Sequence, residues 1–382
     1  MSYSSSSSDS DESIEIPEDL NSTQFLLFAG FSEDTANVIW QSWNSHGIER
    51  FWVVDDAKHY VREKGRMRDA VGASDDWHGS LREMGMSDDF CRRVLDPAFD
   101  SVRLTECACF WALDTIDEAF AYLSSLDHRI QQKRRMQEIS RMGSPDESVL
   151  PRPGIRSQGL QPGGAAPIPT LALVATPPPE QVEGRTMFYK GGSQIRLESC
   201  VADDGTINMF ARRSSAPTDF HLTNGHYVYL TKQREIAHTY ARFVEARVPS
   251  SKAAILQIAI PRDLVDDPLE IFGDDWRELI WHSRKGGRRL PANLQQYVEA
   301  SILVGPVCSD GMHLVSRMSD KAELSMMKLS NGSKGSQWAI QSVARLEQID
   351  DACSGFLWVT PVVDHTTGQG QGRRVSARNT WM

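Results

Sequence analysis

The stretch of sequence that decides the fold runs from Asp219 to Phe243 and reads DFHLTNGHYVYLTKQREIAHTYARF. Within it, the run from Tyr227 to Leu230 is rich in aromatic and β-branched residues, a composition that favours a half-buried strand. Thr231 follows as the predicted N-cap of a helix. The apolar residues after it recur at steps of three and four: Ile236, Ala237, Tyr240, Phe243 and Val244. The stretch therefore predicts a strand that leads through a sharp turn into an amphipathic helix, where free N–H groups favour an anionic ligand.

The composition of the chain excludes several classes of protein. The chain has 382 residues, which is long enough for two domains with separate cores. Its 41 basic and 51 acidic residues leave a net charge of −10 without a long basic run, which argues against a nucleic-acid partner. No segment approaches the roughly 18 consecutive apolar residues of a membrane span. The N-terminus also lacks the apolar core of a secretion signal.

The cysteines indicate an intracellular protein, either cytoplasmic or nuclear. All six are scattered without a CxxC pair, so we expect reduced thiols. Cys107 and Cys109 lie two positions apart, but a metal site built on them would need a second pair of ligands. We therefore predict no bound metal.

Shifts in composition divide the chain into segments. Residues 1–21 form an acidic, serine-rich tail that we expect to be disordered, because it has too few apolar residues to bury. Residues 22–140 show helical periodicity and predict a helical bundle. Residues 141–184 are rich in proline and glycine and predict a disordered linker. Residues 185–362 form a second predicted domain, and residues 363–382 form a second disordered tail.

The second predicted domain alternates strands with helices. Strand-like runs cover residues 187–189, 207–211, 227–230, 254–260, 301–307 and 337–343. One of the helical patterns between them carries Trp276 and Arg284. The sequence therefore predicts an α+β protein, in which an N-terminal helical bundle precedes a mixed α+β domain.

Four motifs follow one another in this second domain. They are Phe188-Tyr189-Lys190-Gly191-Gly192-Ser193; Asp219-Phe220 with Tyr229-Leu230-Thr231 and Ala237; Trp276 with Arg284; and Ile302-Leu303-Val304-Gly305-Pro306-Val307 with Gln337-Trp338-Ala339-Ile340. In their order and spacing they resemble the ADP-ribosyltransferase-like fold, in particular an uncharacterised family within it found in bacteria and filamentous fungi. The resemblance covers a little under half of the chain.

The resemblance implies that the substrate is NAD and that ADP-ribose passes to an unknown protein or nucleic-acid acceptor, or to water. In the family pattern a basic or histidine residue of the first strand contacts the ribose hydroxyls, and Lys190 matches that position. Tyr229 matches the aromatic residue that stacks on nicotinamide, and Gln337 stands where a glutamate offsets the cationic ribose. These three are the predicted catalytic residues. The predicted cofactor-binding residues are Gly191, Gly192, Tyr227 and Thr231.

Three positions depart from the family pattern. Lys190 replaces an arginine or histidine, and a flexible ammonium reproduces neither a planar guanidinium nor an imidazole acceptor. Gln337 can hydrogen-bond a ribose hydroxyl but supplies no negative charge, and Glu299 is the nearest alternative acid in the sequence. Tyr227 replaces a glycine of the pattern, and it faces the same way as Tyr229 because side chains alternate along a strand.

Two functional hypotheses follow from these departures. In the first, the second domain is an NAD-dependent ADP-ribosyltransferase or NAD hydrolase. In the second, it is a catalytically degenerate member of the fold that acts with the helical domain as a binding or scaffold module. The first hypothesis requires Lys190, Tyr229 and Gln337 to converge on one cleft.

Overall fold

The computed structural model describes residues 16–45, 52–70, 76–142, 178–202, 206–209, 219–220, 227–285 and 290–363. Most of the predicted linker, residues 1–15 of the first predicted tail and residues 364–382 of the second lie outside these ranges. The described part of the chain contains both helices and sheets, which confirms the α+β class.

Helices dominate the N-terminal half, as the sequence predicts. They are α1 (Thr23–Phe28), α2 (Glu33–Ser45), α3 (Val53–Ala70), α4 (Trp77–Glu83), α5 (Asp88–Val94), α6 (Asp100–Arg103) and α7 (Ala108–Met142). Serine residues cap two of them, because Oγ of Ser22 accepts from Phe25 N–H and Oγ of Ser87 accepts from Phe90 N–H. We call the described residues from Thr23 to Met142 the helical region.

The C-terminal half contains two β-sheets. Its elements are β1 (Arg185–Ser193), α8 (Gln194–Glu198), β2 (Val228–Leu230), α9 (Arg234–Arg247), β3 (Ala253–Pro261), β4 (Leu269–Glu270), α10 (Gly273–Lys285), α11 (Gln295–Glu299), β5 (Ile302–Pro306), α12 (Met312–Val315), β6 (Ser336–Ile340), α13 (Val343–Ala352) and β7 (Leu357–Pro361). The first sheet has the strand order β1-β3-β7, and the second has the order β2-β6-β5-β4. Only the β4–β5 pair is parallel among these described strands.

The two sheets pack face to face, and each is covered by a helix on its outer face. Alternating residues of both sheets share one apolar core that includes Phe188, Leu230, Leu256, Val304 and Trp338. Helix α9 packs on the outer face of the first sheet and α10 on the outer face of the second. A pair of backbone hydrogen bonds between Tyr189 and Thr231 joins the sheets at their edges.

Most strand predictions are confirmed. The two-residue strand β4 was not predicted, and the strand predicted at 337–343 ends at Ile340 because α13 begins at Val343. Three further differences concern β1, residues 207–211 and β7. Strand β1 is longer than predicted and continues through Gly191 and Gly192. The prediction of a strand at 207–211 is wrong, because Ile207 makes only an isolated bridge to Val201, and residues 210–211 lie outside the described ranges. The sequence analysis also missed β7, which pairs with β3 at the far edge of the first sheet.

Each half of the chain has an apolar core of its own, and the two halves also pack against each other. One apolar cluster contains Trp77, Val102 and Trp111 of the helical region together with Ile236, Phe243, Val307 and Met327 of the C-terminal half. The ring of Trp111 meets that of Phe243 edge-on, with the ring centres 5.0 Å apart. Burying the apolar face of α9 against the helical region is favourable because it removes this surface from water.

Gly191 allows α9 to lie directly on β1. A Cβ atom at this position would overlap the carbonyl oxygen of Ala237 and lie 2.8 Å from its carbonyl carbon. The same atom at Gly192 would make an ordinary contact, 3.4 Å from Cγ of Leu197. The need for glycine at position 191 is therefore explained by helix packing.

We predict that Gly191→Ala destabilises the protein by about 3 kcal/mol, because helix backbone cannot move aside as a flexible side chain would. Gly192→Ala is the matched control and should change the free energy of unfolding by less than about 1 kcal/mol. Urea denaturation of both variants measures the difference. Equal stability of the two variants would show that α9 does not approach β1 this closely.

A candidate ligand cavity between the helical region and the sheets

A cavity of about 420 Å³ lies where the helical region meets the two sheets. This volume lies within the range of small-molecule binding sites. The helical region contributes Arg62, Thr105, Glu106, Phe110, Trp111, Leu113, Asp114, Asp117 and Glu118 to its lining. The remaining lining residues come from β1, β2, β6 and helices α8, α9 and α10, and from the segments next to them.

Six of the seven predicted site residues line this cavity. They are Lys190, Gly191, Gly192, Tyr229, Thr231 and Gln337. Tyr227 does not line it, although its ring lies beside that of Tyr229 with the ring centres 6.3 Å apart. The prediction that Tyr227 contacts the cofactor is therefore not supported by its position, which is against the apolar cluster below α10.

The three predicted catalytic residues reach the cavity from two directions. Tyr229 packs against the cluster on the α10 side of the second sheet, and Gln337 shares that face because it lies two residues from Ala339. Lys190 lies two residues after Phe188 and therefore shares with it the inner face of the first sheet. Its Nζ donates a hydrogen bond to the carbonyl oxygen of Tyr229 over 3.2 Å.

The turn after β2 is built differently from the prediction. Thr231 is not the N-cap of α9, because Gln233 precedes the helix and makes no side-chain cap. The Oγ1 of Thr231 instead donates to the carbonyl oxygen of Ser336 over 2.8 Å and accepts from Gln233 N–H over 3.0 Å. The Thr231 side chain therefore ties the turn to β6.

A buried ion pair between Asp219 and Arg284 forms one wall of the cavity. Each side chain is only 4% exposed, and Arg284 Nε donates to Asp219 Oδ1 over 3.0 Å. The second carboxylate oxygen of Asp219 accepts from Cys308 N–H over 2.8 Å and from the side-chain amide of Gln337. These hydrogen bonds are what a buried charge needs to remain in the interior.

The hydrogen bonds around Asp219 also involve Trp276 and connect Arg284 to the helical region. The indole Nε1 of Trp276 donates to the carbonyl oxygen of Pro306 over 2.9 Å, and the Gln337 amide also donates to that oxygen. Arg284 extends the network into the helical region, because its Nη1 donates to the carbonyl oxygen of Thr105. Residues of three of the four quoted motifs thus meet in one hydrogen-bonded group.

Asp114 of α7 holds the two halves of the chain together. One of its oxygens accepts from Arg196 over 3.0 Å and the other accepts from Arg247 over 2.7 Å. Burial raises the pKa of this carboxyl, but the charges of Arg247 and Arg196 outweigh burial and lower the pKa to about 2. Glu118 also pairs with Arg196, and burial raises its pKa against the opposing effect of that arginine.

Glu106 is the least satisfied acid of the cavity. Its nearest basic partner is Nη2 of Arg284, 3.8 Å away, which is beyond hydrogen-bonding distance. No residue in the described ranges donates a hydrogen bond to its carboxyl group. Burial raises the pKa of Glu106 to about 7; Arg284 opposes the rise and Asp219 adds to it.

The sequence analysis did not find Glu106 or Asp114, and it named Glu299 as the alternative acid. Glu299 is exposed, accepts from the side chain of Gln295, and does not line the cavity. Asp114 lies in a helical pattern whose polar positions look solvent-facing, and Glu106 lies in the turn between α6 and α7. Only the packing of the two halves buries them. Asp219 and Arg284 stood in the quoted motifs, but nothing in their spacing predicted that they pair.

No group of three or more His, Cys, Asp or Glu residues in the described ranges is placed to hold a metal ion. None of the helices in the same ranges is both long and apolar enough to cross a membrane.

Comparison with known proteins gives no relative for this chain: no protein-family model matches it, and neither a curated protein nor a solved structure is detectably similar.

We predict that Asp114→Ala destabilises the protein by about 3–5 kcal/mol, because it leaves the guanidinium group of Arg247 buried without its carboxylate. The control is Asp117→Ala, three residues along α7, which breaks a pair with Lys58 whose acid is 43% exposed. That pair should contribute no more than about 1 kcal/mol. Thermal or urea denaturation measures both, and a loss for Asp114→Ala as small as the control's would contradict this role.

We also predict that Gln337→Glu, which places the family's acid at this position, destabilises the fold by about 3 kcal/mol at neutral pH. A carboxylate cannot donate to Asp219 and adds a second negative charge beside it. Because this repulsion raises the pKa of the new acid in the folded state, the loss should grow between about pH 5 and about pH 8. Gln337→Met removes the hydrogen bonds without adding charge, so its loss should be smaller and independent of pH.

Proposed function

We propose that residues 185–362 bind NAD in the cavity and that the protein is an NAD-dependent ADP-ribosyltransferase-like protein. It transfers ADP-ribose to an unknown acceptor or hydrolyses NAD. The observation that supports this proposal is that Lys190, Tyr229 and Gln337, chosen from sequence motifs alone, all line one cavity of suitable size.

Each part of the cavity offers one element of NAD recognition. Tyr229 offers an aromatic ring for stacking on a planar base. Lys190 brings a positive charge to the edge of β1, which suits a phosphate or a ribose hydroxyl. The lining also carries five acidic and five basic side chains. Because these charges balance, recognition of an anionic dinucleotide rests on local contacts rather than on a positive cavity.

The second candidate function is a catalytically degenerate binding module. It is favoured by the contacts of Gln337, whose side-chain amide already donates hydrogen bonds to Asp219 and to the carbonyl oxygen of Pro306. A residue held in this way supports the wall of the cavity. If no other acid serves the reaction, a ligand would bind in this cavity without being cleaved.

We predict that the full chain binds NAD and that Tyr229→Leu weakens the affinity at least about tenfold, the loss expected from about 1.4 kcal/mol of stacking. Tyr227→Leu is the matched control, because this tyrosine belongs to the same strand face but lies outside the cavity. Isothermal titration calorimetry with NAD measures both affinities, and circular dichroism checks that each variant is folded.

The outcomes separate the two candidate functions. Binding accompanied by release of nicotinamide supports the transferase or hydrolase. Binding without release supports the degenerate module. No heat with about millimolar NAD, from a folded protein, would reject NAD as the ligand.

A further inference from the structure

We propose that Glu106, which the helical region supplies, is the proton acceptor of the cavity. This inference rests on the proposed function and deepens it, because it assigns the acid that the second domain lacks at Gln337. The site would then be complete only when the helical region is docked on the sheets.

Glu106 differs from the other acids of the cavity in its hydrogen bonding. Asp114 and Glu118 are held by arginines, Asp117 accepts from Lys58, and Asp219 is held by Arg284 and its neighbours. Among the lining residues that the structure describes, only the carboxyl group of Glu106 accepts no hydrogen bond. Its oxygens are therefore available to a ligand without breaking an existing contact.

The burial of Glu106 suits a proton acceptor. Its side chain is 15% exposed and lines the cavity, so a bound molecule can reach it while bulk water is largely excluded. The charged and titratable groups around it are Arg284 of α10, Tyr240 of α9, and Asp219. Burial and Asp219 favour its protonated form and Arg284 opposes them, which brings its proton affinity near neutrality, where a general base is most effective.

The position of Glu106 is fixed by the residues on either side and by the C-terminal half. The carbonyl oxygen of Thr105 accepts from Arg284. Gly311 packs so closely on this backbone that a Cβ there would lie 2.8 Å from the carbonyl oxygen of Glu106. A catalytic group needs such support from its surroundings to hold a productive geometry.

In the proposed step, Glu106 takes up the proton of the group that attacks the ribose. The bond between the ribose C1′ and the nicotinamide nitrogen breaks, and its electron pair stays on that nitrogen, which becomes neutral. The hydroxyl oxygen of the acceptor, or of water, forms a new bond to C1′. Its proton passes to the Glu106 carboxylate, which later returns it to solvent.

The test compares wild type with Glu106→Gln in the full chain, using NAD as the ligand. NAD affinity is measured by calorimetry, and nicotinamide release is measured across the pH range around neutrality. Glu106→Gln should bind NAD within about threefold of wild type and remain folded, because Arg284 keeps its contacts to Asp219 and Thr105. Its rate of nicotinamide release should fall about 100-fold, and the rise of the wild-type rate near pH 7 should disappear.

Two further variants sharpen the comparison. Glu299→Gln changes an exposed acid outside the cavity and should leave the rate and the pH profile as in wild type. Glu106→Asp keeps the carboxyl group and should restore part of the rate together with a rise of the rate with pH. A purely structural role for Glu106 would produce neither this rescue nor a changed pH profile.

Each failure has a distinct signature. A Glu106→Gln variant with the wild-type rate and pH profile would overturn the assignment and leave the proposed function intact. A wild-type protein that binds NAD but releases no nicotinamide at any pH would also overturn the assignment, and would support the binding module. A folded wild-type protein that does not bind NAD would reject the proposed function and this assignment together.

Discussion

The buried ion pair of Asp219 and Arg284 is the interaction on which the arrangement of the cavity depends. Removing two charges from water costs free energy, and the pair is stable in the interior only because hydrogen bonds surround it. Those hydrogen bonds reach in three directions: to Gln337 on β6, to the backbone of Cys308, and to the backbone of Thr105. The pair thus fixes the second sheet, the helix behind it and the turn before α7 relative to one another.

A second group of charged residues also joins the helical region to the C-terminal half. Asp114 of α7 binds Arg196 and Arg247, and these contacts place α7 over the cavity. Most of the charged groups around the cavity are therefore occupied in holding the walls together. Glu106 is the exception among the described acids that line the cavity, which is why the proposed chemistry is assigned to it. Under this proposal, the helical region has a catalytic role as well as a structural one.

The sequence predicted the local structure well and the contacts between distant segments poorly. Helix α9 follows from the helical period of its apolar residues, and strand β3 follows from a continuous run of apolar and β-branched residues, because it is buried on both faces. The docking of α7 leaves no such signal in the sequence, because Asp114 has the pattern of an ordinary surface acid. Only the folded structure brings Arg196 and Arg247 into contact with it. The same limit applies to the site: the motifs indicated Lys190, Tyr229 and Gln337, while Glu106 depends on a contact between the two halves.

The central claim is that the helical region and the sheets form one ligand site. Hydrogen exchange of the full chain, followed by mass spectrometry with and without saturating NAD, tests it most directly. We expect NAD to slow exchange in peptides of the helical region that contain Glu106, as well as in peptides that contain Lys190 and Tyr229. Slower exchange in the sheet peptides alone would contradict a shared site. Unchanged exchange in both halves would contradict it as well.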